Sequence, residues 1–487
     1  MKNKNKGSRD ESLAGGWGQS PQGLKGLDLR RRKMSWLVRK PEFYKSLLML
    51  AVPMVLTNML SMSVGLVDNL MVGQLGETAV AGVMVANQVQ ALLGALTIGI
   101  SASLVILAAQ YWGKRDIESV KAVAAVGIKL ALLVGLIVCV LVLAAPAAVL
   151  SVFTNDAYVI AEGVRYIRIL AFSYLFFCLT QTLMGTMRCV EVVRIGVVVS
   201  FSTLVVSVVL NYALIFGNWG FPALGIEGAA IATLTARIME AVIMVVYVRF
   251  IDQRLRVRFK ELIKTDTRLL LDFFRYGLPV MVGDISWALV GTSKVAILGR
   301  LGEAAMAANS ITMILFSLIT VAVWGMSGAS AVIIGKTVGS GDYDLVKQYA
   351  RTLQLIFAGL GIAAGISLLS LRDVFISLYA FSGYTQVLAR QFMTIMGISI
   401  IFTAYHAPCF TGIIRAGGDT KFVFIVDAIC GWLLVLPLAF LAAFVFQWPA
   451  WVVFFCLYSD QFYKWIIAII KTNRFKWIIN LTREKPA

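Results

Sequence analysis

Apolar residues fill long stretches of this chain, and short segments that hold most of the charged residues separate them. A helix needs about 20 apolar residues to cross the hydrocarbon core of a bilayer. The pattern therefore predicts an all-α polytopic membrane protein with twelve transmembrane helices, several of them long enough to be tilted or bent. The predicted spans are residues 43–72, 79–111, 119–149, 162–187, 195–216, 227–250, 269–299, 305–338, 348–370, 387–412, 422–446 and 449–470.

The composition supports a lipid environment. Of the 487 residues, 59% are hydrophobic and only 14% are charged, far from the balance of a soluble protein. The six cysteines fall inside or beside predicted spans and lack the spacing of metal ligands, so we interpret them as small apolar residues without disulfides.

The net charge of +18 follows the predicted topology. Lys and Arg concentrate in the N-terminal tail, in residues 249–275 and at the C-terminus, whereas the loops at 150–161 and 217–226 contain none. By the positive-inside rule both termini are cytoplasmic, which requires an even number of spans in the inner membrane. The basic positions do not form one face with interleaved aromatic residues, so we expect no nucleic-acid partner.

The polar segments divide the chain into regions. Residues 1–42 contain no apolar core of a cleavable signal and are predicted to be a basic, disordered cytoplasmic tail. Residues 251–268 are predicted to be a cytoplasmic linker, and residues 471–487 a second cytoplasmic tail.

An internal repeat appears when the chain is compared with itself at an offset of 226 residues. Residues 53–124 and 279–350 match without a gap at seventeen identical positions. Pro, Asp and Lys repeat in register, which apolar composition alone does not explain. The identities include Pro53/Pro279, Gly65/Gly291, Gly76/Gly302, Gly99/Gly325, Gly113/Gly339, Asp116/Asp342 and Lys121/Lys347.

The repeat predicts two pseudo-symmetric six-helix lobes, residues 43–250 and 269–470. Because six is even, both lobes insert in the same orientation, related by an axis along the membrane normal. A substrate path would lie between the lobes near the midplane, which suits a carrier better than a channel. One chain already supplies both lobes, so we expect a monomer.

Several motifs, in order along both halves, together resemble the multidrug and toxic compound extrusion (MATE) family. The resemblance implies a cation-coupled exporter that uses a sodium or proton gradient to expel cationic or amphipathic organic compounds across the lipid bilayer. The motifs are Asp68-Asn-Leu-Met-Val-Gly73, Gln110-Tyr-Trp-Gly113 followed by Asp116, Leu210-Asn211-Tyr-Ala-Leu-Ile-Phe-Gly217, Gly225-Ile-Glu-Gly228 continuing to Thr233, and Arg415-Ala-Gly-Gly-Asp419-Thr-Lys421.

Asp68 is the first candidate for ion coupling. A carboxylate in the middle of a membrane helix costs about 2.5 to 3.5 kcal/mol and usually handles an ion or has a partner. Alternatively, the first helix has crossed the membrane before Asp68, which then lies at the outer interface. The predicted topology places Asn211 and Thr233 in the same outer third of the lobe, with Ser207 one turn below Asn211.

The resemblance implies that Asp68, Ser207, Asn211 and Thr233 form the cation site of the N-terminal lobe. Ser207 and Asn211 stand where some family members have Asn and Asp, and fewer charges weaken the case for tight Na⁺ binding. Coupling to H⁺ and coupling to Na⁺ at Asp68 both remain open, and we expect no other metal, no cofactor and no catalytic residue.

Pro53 and Pro279 lie inside the first helix of each lobe, where each removes a backbone donor and favours a bend. The bend is either a static kink or, at Pro53, a hinge that responds to a change of charge at Asp68.

The C-terminal lobe offers a different set of residues. Asp284, His406 and Asp427 are predicted to lie in its inner third as a possible proton or substrate site, although a lone His is more often structural. Lys294 is the repeat partner of Asp68, and we expect it to snorkel to the outer interface rather than pair with an acid. Trp287 stands where some family branches carry a Glu, which puts a coupling carboxylate of that type in doubt.

Two other classes of protein compete with the exporter. A lipid-linked saccharide flippase or polysaccharide exporter with related lobes would need a cationic cleft, and Lys294 is the main feature that favours it. A membrane-embedded enzyme is disfavoured by the single His and by the lack of a Walker loop or of metal-ligand spacing.

Overall fold

The computed structural model describes residues 37–256, 261, 266–379 and 381–483. Most of the predicted N-terminal tail, part of the predicted linker and residues 484–487 lie outside these ranges, so the predicted disorder of the tail stays a prediction.

Within the described ranges, eleven helices are long and apolar enough to span a membrane, and a pair bent by 55° forms a twelfth. The prediction of an all-α, multi-pass membrane protein is therefore confirmed. We number the spans α1 (Pro41–Leu75), α2 (Glu77–Gly113), α3 (Ile117–Ala144), α4a (Ala157–Leu170) with α4b (Ser173–Cys189), α5 (Arg194–Phe216), α6 (Ile226–Ile251), α7 (Thr267–Gly299), α8 (Glu303–Gly339), α9 (Tyr343–Ser377), α10 (Gly383–Ile414), α11 (Thr420–Val445) and α12 (Ala450–Arg474).

The fourth span differs from the prediction of one continuous helix over 162–187. It begins earlier, at Ala157, and breaks between Leu170 and Ser173. Asp156 caps its first half by accepting hydrogen bonds from the backbone N–H groups of Tyr158 and Val159. A short helix, Pro146–Ser151, precedes it.

Repeated residues have matching structural roles in the two halves. Asp116 caps α3 by accepting a hydrogen bond from Ser119 N at 3.3 Å, and Asp342 caps α9 in the same way from Leu345 N at 3.1 Å. Gly76 and Gly302 both have φ near +106°, a conformation that glycine adopts without the strain of a Cβ. The repeated aspartates and glycines thus form the same helix starts and turns in both halves.

The two halves also pack against each other symmetrically. A Cβ added at Gly99 of α2 would lie 2.9 Å from the Cα of Met281 in α7. A Cβ added at its repeat partner Gly325 of α8 would lie 3.0 Å from the backbone N of Val55 in α1. Val55 and Met281 are themselves repeat partners, so glycine permits the same close helix approach twice. The predicted pseudo-symmetry is confirmed.

The ends of α2 and α8 cross on the pseudo-symmetry axis. A Cβ at Gly113 would collide with the Lys336 carbonyl, and one at Gly339 would collide with the Gln110 carbonyl. The connections α2–α3, α8–α9 and α10–α11 meet at this end, where the Gln110 side chain donates to the Ala416 carbonyl at 3.3 Å. We call it the basic end of the bundle.

The first halves of α1 and α7 each pack into the core of the opposite lobe. Phe43, Leu47 and Met54 of α1 pack into a buried cluster built mainly from α8, α9 and α10. Reciprocally, Phe273 and Val280 of α7 pack into the cluster of the N-terminal helices. In both helices the exchanged segment reaches just past the repeated proline; further along, Thr57 of α1 lies against Gly196 of α5, and Gly283 of α7 lies against Phe424 of α11.

Residues 475–483 cross the basic end. Trp477 is fully buried beside Gly417 of the C-terminal half. Leu481 donates its backbone N–H to Gln110 Oε1 at 2.7 Å, and Arg483 binds both carboxylate oxygens of Asp272. This part of the predicted C-terminal tail therefore connects the two halves.

Candidate functional site

A polar cavity of about 190 Å³ lies inside the N-terminal lobe, between α1, α2, α4a, α5 and α6. Three predicted site residues, Asp68, Asn211 and Thr233, line it. Ser207 is buried, at 3% exposure, but is not among the lining residues. The lining also includes residues that the sequence analysis missed, namely Asn87, Gln90, Tyr166, Ser200, Thr203, Arg237 and Glu240.

Asp68 and Asn211 form the centre of the cavity wall. Asn211 Nδ2 donates a hydrogen bond to Asp68 Oδ1 at 2.6 Å. Asn211 is 1% exposed, and among the described residues its Oδ1 atom has no hydrogen-bond partner. An unsatisfied buried amide oxygen is costly, so this oxygen favours a donor or a cation beside the carboxylate.

A second charged pair stands on α6. Arg237 Nη1 lies 2.9 Å from Glu240 Oε2, and Glu240 Oε1 accepts a hydrogen bond from Thr203 at 2.8 Å. Glu240 is buried, while the Arg237 guanidinium lies 5.0 Å from the centre of the Phe177 ring. The signal available in the sequence was the presence of two charges, three residues apart, inside an apolar span.

The cavity has an excess of negative charge. The charged residues that line it are Asp68, Arg237 and Glu240. Because Arg237 pairs with Glu240, the Asp68 carboxylate is left with the Asn211 amide as its hydrogen-bonded partner. A lone carboxylate in a membrane protein is stabilised by a proton or by a cation.

The C-terminal lobe contains an ion-pair network on the equivalent helices. Lys464 of α12 lies 2.9 Å from Asp427 of α11 and 3.0 Å from Asp460 of α12. Lys294 of α7 lies 3.6 Å from Asp460, with its ammonium 4.7 Å from the centre of the Tyr458 ring. We call Lys294, Asp427, Asp460 and Lys464 the C-lobe network.

The prediction that Lys294 snorkels to the outer interface is wrong. Its side chain is 12% exposed and pairs with Asp460, on a helix 166 residues further along the chain. Sequence reasoning missed Asp460 and Lys464, although two opposite charges four residues apart inside an apolar stretch were visible. The cost of burying Lys294 is reduced by its pairing with a carboxylate.

The remaining predicted residues of this lobe do not form one site. Asp284 pairs with Arg415, whose Nη2 lies 2.6 Å from Asp284 Oδ1. His406 is buried beside the C-lobe network, and its Nδ1 lies 2.9 Å from the Phe402 carbonyl one turn earlier. Asp284 is therefore bound to the basic end of α10, apart from the residues it was grouped with.

The Arg415–Lys421 motif builds the start of α11. Asp419 caps this helix by accepting from Phe422 N at 3.3 Å and pairs with Lys471 at 2.6 Å. Together with the Arg415–Asp284 pair, these contacts give the motif a structural role at the basic end.

A protein-family model described as MatE matches residues 53–213 and 279–441. The two segments cover more than half of the chain and begin at Pro53 and Pro279, which have the 226-residue offset of the repeat. The chain belongs to the MATE family. The resemblance found in the motifs is confirmed, and the family is one of efflux transporters.

Curated relatives of this MATE chain are described as probable multidrug resistance proteins. NorM of Rhizobium meliloti is 29% identical over 443 residues, which cover 87% of this chain and 90% of the relative. YoeA of Bacillus subtilis is 28% identical over 415 residues, covering 82% and 87%. The likeness thus extends over nearly the whole length of both proteins.

Solved structures of MATE transporters share the fold. A structure of the Vibrio cholerae transporter VcmN has a TM-score of 0.82 at 18% identity and covers 91% of this chain and 98% of its own. A multidrug resistance MATE transporter of the MOP superfamily, in an outward-facing conformation, has a TM-score of 0.79 at 17% identity, covering 91% and 99%.

Proposed function

We propose that this chain is a secondary active antiporter that exports cationic or amphipathic organic compounds in exchange for H⁺ or Na⁺. The observation that supports this most is the Asp68–Asn211 pair in the N-lobe cavity, with a buried carboxylate in excess and an amide oxygen without a partner. We propose this pair, with Thr233, as the coupling site.

The donor set suits both candidate ions. A proton on Asp68 would neutralise the excess charge without further ligands. Na⁺ would be held by the Asp68 carboxylate with the free Asn211 Oδ1, since hard cations prefer oxygen ligands. The Thr233 hydroxyl donates to the Ala229 carbonyl at 3.0 Å and lines the same cavity, where its oxygen is a further candidate ligand.

The packing of the lobes supports alternating access. The close approaches at Gly99, Gly325, Gly113 and Gly339 lie between the middle of the helices and the basic end. If the basic end is cytoplasmic, as the positive-inside rule requires, this arrangement closes the inner side and leaves the outer side free to open. We accordingly propose an inner-membrane protein with both termini cytoplasmic, acting as a monomer on small molecules and not on nucleic acid.

Because the first half of α1 packs in the core of the opposite lobe, α1 could couple ion binding at Asp68 to movement of the lobes. Asp68 lies on the half of α1 that packs on α5, while the half before Pro53 packs in the C-terminal core. α1 runs through Pro53 without interruption in this conformation. A change of charge at Asp68 would move the outer half against the inner half, with Pro53 as the point of bending.

The flippase alternative loses its main support. Lys294 was the feature that favoured a cationic cleft, and its charge is compensated by Asp460. The N-lobe cavity around Asp68 has an excess of negative charge, which suits cationic ligands and ions.

Transport in proteoliposomes tests this proposal. Purified protein is reconstituted with a fluorescent organic cation, and a Na⁺ gradient and a pH gradient are imposed separately. We expect dye flux driven by at least one gradient, and loss of that flux in Asp68→Asn. Glu227→Gln is the matched control, because Glu227 lies on α6 but pairs with Arg165 outside the cavity. Full gradient-driven flux in Asp68→Asn, or flux of a lipid-linked sugar alone, would refute it.

A further inference from the structure

The C-lobe network contains its own cations. The Lys464 ammonium lies about midway between two carboxylates, at 2.9 Å from Asp427 and 3.0 Å from Asp460. The Lys464 side chain is 6% exposed and that of Asp460 8%. These distances are those of charge-assisted hydrogen bonds, and two such bonds position the ammonium firmly.

The charges of the network cancel. Lys294 and Lys464 supply two positive charges, and Asp427 and Asp460 supply two negative ones. Burying these groups in a membrane protein is tolerable because each one is paired. No net charge remains for a mobile cation to neutralise within this network.

The network stands on the helices that correspond to those of the N-lobe cavity. α1, α5 and α6 carry Asp68, Asn211 and the Arg237–Glu240 pair, while α7, α11 and α12 carry the C-lobe network. Asp68 of the N-terminal lobe and Lys294 of the C-terminal lobe occupy equivalent positions of the repeat. The charged residues around the N-lobe cavity thus include one carboxylate more than they have cations, whereas in the C-lobe network two lysines balance two carboxylates.

The geometry points to Lys464 as a tethered cation that occupies the place a coupling ion would take in the C-terminal lobe. Lys464 is then a specificity-determining residue, because it restricts ion coupling to the lobe that contains Asp68. This inference rests on the proposed function for the coupling role of Asp68, but its own content is that removing the Lys464 ammonium creates a binding site for a monovalent cation.

The expected site follows from the charges that remain. Without the Lys464 ammonium, Asp427 and Asp460 keep two negative charges against the single charge of Lys294. One positive charge is then missing, between two carboxylates that both contacted the same atom. Na⁺, as a hard cation, prefers oxygen ligands such as carboxylates, carbonyls and water. His406 beside the network supplies no fixed positive charge when neutral.

The experiment uses full-length protein in detergent with Asp68→Asn as the background, so that the N-lobe site does not contribute. The midpoint of thermal unfolding is measured at pH 8.5 while NaCl replaces choline chloride at constant ionic strength. Asp68→Asn alone should show no response to Na⁺. Asp68→Asn/Lys464→Met should start at a lower midpoint and rise by roughly 3 °C in a saturable way, because a ligand that binds only the folded state stabilises it.

Two further variants make the result decisive. Asp68→Asn/Lys471→Ala removes another lysine of α12, the partner of Asp419 at the basic end, and should stay unresponsive. If the Lys464→Met protein does not fold, Asp68→Asn/Lys294→Met removes the other ammonium and should show a weaker response of the same kind.

Either of two results would overturn the inference. One is a Na⁺ response of Asp68→Asn with Lys464 in place, which would mean that the C-terminal lobe already binds the cation. The other is the absence of a response in the variants that lack Lys464 or Lys294. The proposed function fails on a separate reading, the gradient-driven dye flux of wild type and Asp68→Asn, so the two failures are distinguishable.

Discussion

The two lobes share a scaffold and differ in charge. Their glycines permit the same helix approaches, their aspartates cap the same helices, and their prolines mark the same exchange of half-helices. On this common scaffold, Asp68 of the N-terminal lobe has no salt-bridge partner among the described residues, whereas Asp427 and Asp460 of the C-terminal lobe pair with Lys294 and Lys464. A duplicated fold can thus keep the same helix packing in both halves while only one half carries the residues for ion coupling.

The largest expected effect tests the shared scaffold. Gly113→Val and Gly339→Val each force a side chain into the backbone of the opposite helix, at symmetric positions. We expect both to destabilise the protein by about 3 kcal/mol or more, and to similar extents. The measurement is the yield and thermal midpoint of monodisperse protein in detergent. Gly359→Val is the control, since a Cβ there meets no described atom within 4 Å. Clearly unequal losses of stability in Gly113→Val and Gly339→Val would contradict equivalent roles for the two glycines.

The next prediction concerns the charge balance of the cavity. Glu240→Gln releases Arg237 from its partner, and its guanidinium can then compensate Asp68 in the same cavity. We expect the apparent affinity for the coupling ion to fall by about tenfold, within the usual range of coupling energies. The measurement is the ion dependence of dye exchange in proteoliposomes.

The double variant Arg237→Gln/Glu240→Gln sharpens that prediction. It removes both charges and leaves Asp68 in excess again, so ion affinity should recover toward the wild-type value. Failure to recover would mean that the pair acts through structure rather than through charge.

A smaller effect is expected at the repeated prolines. Pro53→Ala and Pro279→Ala both restore a backbone N–H in the middle of a long helix. We expect Pro53→Ala to lower turnover several-fold at unchanged protein yield and to weaken the response to the ion gradient. Pro279→Ala should lower turnover with the ion response intact, because its helix carries Lys294 and not Asp68. Equal ion responses in the two variants would contradict the assignment of coupling to one lobe.

The smallest effect is expected at residues 475–483. Arg483→Ala removes a salt bridge to Asp272 in which the aspartate is buried but the arginine side chain is half exposed, and this exposure limits the contribution of the pair to stability. We expect unchanged folding and a modest increase in the rate of dye exchange, because the basic end would open faster. Deletion of residues 475–487 should raise that rate further, because Trp477 and Leu481 leave their buried positions as well.

Much of the fold was accessible from the sequence because lipid imposes a simple rule. Long apolar stretches must be helices, and a gapless repeat with Pro, Asp and Lys in register must place equivalent helices alike. The broken fourth span was not accessible, because its bend lies inside a continuous apolar stretch. Nor was the exchange of half-helices, since both cores are apolar and the sequence does not record which one a helix enters.

The site was accessible only in part, for a related reason. Asp68, Asn211 and Thr233 were placed together by counting positions along helices whose directions follow from the predicted topology. Arg237, Glu240, Asp460 and Lys464 were missed because helices that face lipid on one side and protein on the other are apolar all round. Such helices have no polar face that shows how they are rotated. The same ambiguity led to the wrong prediction for Lys294.

The central claim is that ion coupling belongs to one lobe, and a paired flux measurement tests it most directly. Asp68→Asn is compared with Asp427→Asn/Lys464→Met, which removes one positive and one negative charge from the C-lobe network and leaves Lys294 with Asp460. Both are reconstituted with the same dye under the same imposed gradients. The account predicts no gradient-driven flux for Asp68→Asn and retained gradient dependence for the double variant. Loss of gradient dependence in the double variant, with coupling intact in Asp68→Asn, would contradict it.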